Sequence, residues 1–144
     1  MGEVGPRRQA REAALQVLYA ADVSGRLKPD AVEQVFEQVA GEFSLPRRAL
    51  ERAAELTGGV VRNLERIDTA IAGASTAWKL NRVAAVERNV LRIAAFELLC
   101  EAAPPEVVID EAVEIARRFG GPRTPAFVNG VLDALWRSGR EAQP

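Results

Sequence analysis

The sequence predicts an all-α protein, a compact helical bundle of two packed helical subdomains. Three observations predict it. Alanine and leucine abound while the strict apolar/polar alternation of strands is missing. Apolar residues recur at i, i+3, i+4 and i+7 in segment after segment. Proline and glycine fall between those segments rather than at random. With 144 residues, 48% of them hydrophobic and 27% charged, the chain is long and apolar enough to bury a core without disulfides or metals.

Each element follows from local signals. The first helix starts near Pro6, which suits a first helical turn, carries Ala14, Val17, Leu18 and Ala21 toward a core, and ends at Ser24-Gly25. The second starts near Pro29, with Val32, Val35, Phe36 and Val39 on one face, and closes at Gly41. A longer helix after Pro46 is expected to run to Gly73, with Val60, Leu64, Ile67 and Ile71 as its stripe. Gly58-Gly59 inside it costs about 1 kcal/mol per glycine relative to alanine, so a bend or a close backbone is expected there. Thr76 to Leu80 reads as a short turn carrying Trp78. The segment from about Val83 to Glu101 is apolar nearly all round, as a central helix must be. Pro104-Pro105 breaks the chain. The next helix carries Ile109, Ala112, Val113 and Ala116, with Gly120-Gly121 expected to close it in left-handed cap geometry. Thr124-Pro125 reads as an N-cap and N1 proline for a last helix built on Val128, Val131, Leu132 and Leu135. The stretch from Gly73 to Arg82 divides an N-terminal subdomain (about 6–73) from a C-terminal one (about 76–138).

The composition excludes several chemistries. The chain has no histidine and one cysteine, Cys100. Zinc sites of the Cys/His type, Ser-His-Asp and Cys-His pairs and internal disulfides are therefore ruled out, and no cofactor is implied. A lone cysteine suits a reducing compartment; the opening Met1 to Arg8 lacks the apolar stretch of a leader, and no apolar run spans a membrane, so a cytoplasmic protein is expected. The 19 basic and 20 acidic residues give a net charge of -1, so any nucleic-acid binding must come from a local cluster.

Arg7, Arg8 and Arg11 form such a cluster. At about 100° per residue they fall within roughly a 100° arc that overlaps the apolar stripe, so the first turns are expected to project past the edge of the bundle. Cations at a helix N-terminus oppose the macrodipole, and a phosphate would reverse that penalty. A solvated helix end accounts for them equally well. Asp110 and Glu111, early in a helix, suit its dipole, and Glu114 suits surface ion pairing with Arg117 or Arg118, better than acid–base work. Glu87, Arg88 and Arg92 sit oddly in an apolar helix and are expected to reach a surface strip. Asn129 and Gly130 occupy helix positions where alanine is more stable; Gly130 points to a close approach by another helix or by a nucleotide.

In order along the chain, RRQAREAALQVLY (7–19), RVAAVERNVLRIAAFEL (82–98), VIDEAVEIA (108–116), Phe119-Gly120 and FVNGVLD (127–133) resemble the NusB family of transcription antitermination factors, from Arg7 to Trp136. The resemblance implies two three-helix-type subdomains and a non-enzymatic RNA-binding factor. It implies binding of single-stranded boxA RNA, notably in ribosomal RNA operon leaders, together with the ribosomal protein NusE, in an RNA polymerase antitermination complex. By position, Arg7, Arg8 and Arg11 match the family's basic motif and Tyr19 an aromatic of its RNA-facing helix. Arg92 and Phe127 match positions on the RNA path, and Glu87 is the first place to look for the NusE surface. Arg123 stands where relatives often carry an acid. Some relatives self-associate, so a homodimer is compatible. The end at Pro144 leads us to expect a stand-alone factor rather than a fusion to an RNA methyltransferase. A helical protein-interaction adaptor without RNA binding is the alternative; an enzyme would have to rest on carboxylates alone.

Overall fold

Proline and glycine punctuation translates into eight helices among the described residues, 5–79 and 81–141 of a computed structural model, with no strand among them. Residues 1–4, Leu80 and residues 142–144 lie outside that description, and with them the opening of the leader reading and the last residue of the expected short turn. The chain divides into two compact units, and the division falls between Arg62 and Asn63.

The first unit holds α1 (Pro6–Val23), α2 (Pro29–Ala40) and α3 (Arg47–Arg62). Proline opens α1 and α2, where its missing N–H costs nothing. Gly25 ends α1 in the left-handed region (φ 70), which lets the Arg26 N–H reach back to the Ala21 carbonyl at 2.7 Å. The helices approach through small side chains: Ala10 and Ala13 of α1 meet Ala49 and Ala53 of α3, and Phe36, Phe43 and Leu45 close over them. Leu18, Leu56 and Val60 are fully buried. Burying side chains of that size stabilises by about 1.5–3 kcal/mol each.

The second unit holds α4 (Leu64–Ala74), α5 (Thr76–Lys79), α6 (Ala85–Cys100), α7 (Pro105–Phe119) and α8 (Thr124–Glu141). Every residue of α6 from Asn89 to Leu98 is buried, as its all-round apolar pattern requires. It packs on α4, α7 and α8.

The single helix expected from Pro46 to Gly73 is two helices. Asn63 (φ -113, ψ 20) breaks it, and the Ile67 N–H then bonds the Asn63 carbonyl. Asparagine competes with helical hydrogen bonding through its own side chain, which makes it a natural break. The stripe that looked continuous serves two cores: Val60 belongs to the first unit, Ile67 and Ile71 to the second. α3 runs unbroken through Gly58-Gly59.

Two further expectations fail between α7 and α8. Gly120 is extended (φ -101, ψ -176), not left-handed. Thr124 is not an N-cap whose oxygen accepts from the helix; its Oγ1 accepts the Gly121 N–H at 3.0 Å and its hydroxyl donates to Glu87 Oε1 at 2.9 Å. The glycine is needed for space. A Cβ on Gly120 would stand 2.6 Å from Thr124 Cγ2 and 2.7 Å from its Oγ1. Thr124 is buried, β-branched and bonded at both ends, so it has nowhere to go. Gly120→Ala is expected to cost about 1–3 kcal/mol. A Cβ on Gly121 would lie 3.9 Å from the same oxygen, so Gly121→Ala should stay within about 0.5 kcal/mol of the parent. Paired urea melts check this contrast, and equal effects at the two positions would refute the steric account.

Candidate nucleic-acid interface

The start of α1 sets the local charge. Gly5 caps it with extended backbone and no side-chain hydrogen bond, Pro6 follows, and the first turn carries no acid. Arg7 is exposed and Arg8 half-buried in that turn, next to the helix's own positive pole. Arg11 differs. It is 8% exposed and, like Arg8, already has an interaction within the protein. The expectation that the first turns overhang the bundle is thus corrected. Ala10 is fully buried, so the core begins at the second turn and takes in Arg11, leaving only Pro6 to Gln9 at its edge. The outward-facing part of the cluster is Arg7 and Arg8.

Tyr19 is 40% exposed, and Val23, one turn further, is exposed too. Eleven residues separate Arg8 from Tyr19, which brings them back to within about 20° on the helix surface, roughly 16 Å apart along the axis. Arg8, Tyr19 and Val23 therefore share one face of α1, cationic at its start and aromatic and apolar toward its end.

The candidates in the second unit have different fates. Arg92 does not reach a surface strip. Its guanidinium grips Asp68 of α4 with two bonds, Nε to Oδ1 at 2.9 Å and Nη2 to Oδ2 at 3.0 Å. Nη1 donates to Asn89 Oδ1 at 3.1 Å, and the fully buried Asn89 donates in turn to the Ala85 carbonyl. The guanidinium also lies 5.3 Å from the ring centre of Trp78, which ties α5 to the same group. With its planar fork used on all these partners, Arg92 is a clamp between helices. Nothing in the sequence pairs Asp68 with Arg92, 24 residues away; the only hint was an acid within the apolar pattern of α4.

Glu87 is half-buried, and its carboxylate holds Thr124 at the start of α8, not Arg88 or Arg92. Arg88 instead donates to the Val83 carbonyl at 3.0 Å. Phe127 is half-buried in the first turn of α8, where its N–H bonds the Arg123 carbonyl. Asn129 and Gly130 are exposed, and a Cβ on Gly130 would meet nothing within 4 Å. Among the described residues no helix approaches Gly130, so helix–helix contact within the chain does not explain it. Glu114 pairs with Arg117 on the surface, as expected of that carboxylate. Arg66 donates to the Leu99 carbonyl at 3.2 Å and lies 3.7 Å from the Cys100 sulfur. No group of three or more acids and cysteines that could hold a metal ion occurs among the described residues, and no described helix is long and apolar enough to cross a membrane.

These features define an all-helical protein that carries outward cations and an exposed tyrosine on its first helix, with a second exposed aromatic, Phe119, at the end of α7. A family model described as the NusB family matches residues 8–137, and the chain belongs to that family. It is 44% identical over 137 residues to a protein of Desulfotalea psychrophila named transcription antitermination protein NusB, covering 90% of this chain and 94% of that one. A protein of the same name from Sorangium cellulosum is 42% identical over 133 residues, 92% of each chain. Among solved structures, NusB of T. maritima superposes with a TM-score of 0.81 at 38% identity, covering 94% of this chain and 93% of that one. A chain from a structure described as antitermination factors NusB and NusE in complex with dsRNA superposes with a TM-score of 0.82 at 30% identity, covering 92% and 97%.

Proposed function

We propose that this protein is a non-enzymatic, cytoplasmic RNA-binding antitermination factor that binds single-stranded boxA RNA with NusE and joins an RNA polymerase antitermination complex. The observation that carries the proposal is the first turn of α1, which carries Arg7 and Arg8 and no acid of its own, on a helix whose outer face continues to Tyr19, in a chain of the NusB family. Arg7 and Arg8 hold phosphates, which positions RNA without reading it. Tyr19 supplies the aromatic surface that readout of unpaired bases requires. Phe127 is a second stacking candidate, with open space beside Gly130 one turn on. Arg11 supports the cluster from inside, and Arg92 is left out because its guanidinium is bound by Asp68 and Asn89. Glu87 is left out of the NusE surface, since its carboxylate is engaged by Thr124.

The test is calorimetric. Two cationic side chains give only part of the energy of tight binding, so a second protein on the same RNA must add to it. NusE is expected to strengthen boxA binding, and boxA to strengthen NusE binding by the same factor, as linkage demands. Single-stranded boxA should bind more tightly than the same sequence in a duplex. RNA affinity that is the same for boxA, scrambled and duplex RNA, with NusE binding unaltered, would leave the adaptor reading in place.

A further inference from the structure

A groove of about 480 Å3 runs between α2 and α3, on a part of the first unit that the proposed RNA contacts do not use. Val32, Phe36, Ala54 and Thr57 give it an apolar lining. Thr57 adds little polarity, because its hydroxyl already donates to the Ala54 carbonyl at 3.1 Å. Along the α2 side stand Glu33 and Glu37, one turn apart, exposed, and without an ion-pair or hydrogen-bond partner for either carboxylate among the described residues. Like charges at this spacing repel each other and weaken the helix. At the α3 end stands Arg62, also without such a partner. Its guanidinium lies back over Gly58: a Cβ there would come within 2.8 Å of Arg62 Nη1. Alanine would serve α3 better at that position. The glycine therefore leaves room for the Arg62 guanidinium to lie at the end of the groove.

We infer that this groove is a docking site for a basic amphipathic segment of a partner protein, which seats an apolar side chain on Phe36 and Ala54 and sets Lys or Arg against Glu33 and Glu37. Charge decides the class of occupant. Two unpaired carboxylates repel a phosphate backbone but relieve their own repulsion by taking up a cation. The apolar lining adds an anchor that a solvated ion pair alone lacks.

The probe is an acetylated, amidated peptide of about twelve residues, built of Leu, Lys and Ala with Leu and Lys on one helical face. It is titrated into the full 15N-labelled chain, beside a peptide with Glu in place of Lys and a single-stranded RNA. The Lys peptide is expected to shift amides of 32–37 and 54–62, and the Glu peptide to leave them in place. Glu33→Lys with Glu37→Lys should weaken the Lys peptide by at least about tenfold without lowering the melting temperature. Gly58→Ala should hold or raise the melting temperature, since only a flexible arginine tip must move, and still weaken binding severalfold. Equal binding of the two peptides, unchanged binding by the double variant, or a Gly58→Ala that melts early and binds normally would overturn the proposal. RNA that shifts the same amides would overturn it in favour of a nucleic-acid groove.

Discussion

Replacing Asp68 with alanine is expected to destabilise the second unit by about 3–5 kcal/mol, the largest single effect predicted for this chain. The Arg92 side chain is 8% exposed, so its charge is left unpaired where water scarcely reaches it. Asp68 is 29% exposed, so water partly solvates the carboxylate that Arg92→Ala leaves behind. That variant should cost less. The double variant should cost less than the two singles together, because removing both charges removes the desolvation problem with the attraction. Urea melts of the four proteins, followed by far-UV circular dichroism, measure the cycle. In a Trp136→Phe background, the fluorescence of Trp78, which lies against the same guanidinium, reports loss of the clamp. If Asp68→Ala cost under about 1 kcal/mol, the pair would rank with ordinary surface salt bridges and the clamp would be refuted. RNA affinity well below the melting temperature should be the same for Arg92→Ala and the parent, as befits a residue facing inward.

The second large effect falls on RNA. Arg7→Ala with Arg8→Ala should weaken boxA binding roughly tenfold at low salt and take about 1.4 from the slope of log affinity against log salt, at about 0.7 per single-strand phosphate contact. The loss should be nearly the same for boxA and scrambled RNA, since phosphate contacts carry no sequence information. Tyr19→Ala should do the opposite, cutting the preference for boxA more than the salt slope. Arg11→Ala belongs in a separate experiment. At 8% exposure it supports the start of α1 from within, so its first consequence is expected in the melting temperature. A double arginine variant with parental affinity and slope would remove α1 as the phosphate-binding helix.

The missed break at Asn63 and the misread Gly120 show where one-dimensional reading stops. An apolar period of 3.6 says which side of a helix is buried. It does not say in which core, so Val60 and Ile67 looked like one stripe though they serve two units. A glycine pair after a helix ordinarily signals left-handed geometry. Here the demand on Gly120 comes from Thr124 folding back against it, a contact that no propensity encodes.

The sequence by itself determined the all-helical class, the punctuation of most elements by Pro6, Gly25, Pro29 and Pro105, the central burial of α6 and the family. All of these depend on local chemistry, on periodicity, or on residues in a fixed order. Tertiary structure alone decided which polar side chains are spoken for. Arg7, Arg11 and Arg92 are the same residue type, and two of them sit in one motif, yet one is exposed, one is buried beside it, and one is locked to Asp68 from another helix. A charge's availability depends on which distant group desolvates or pairs with it, and that is set only when the helices pack.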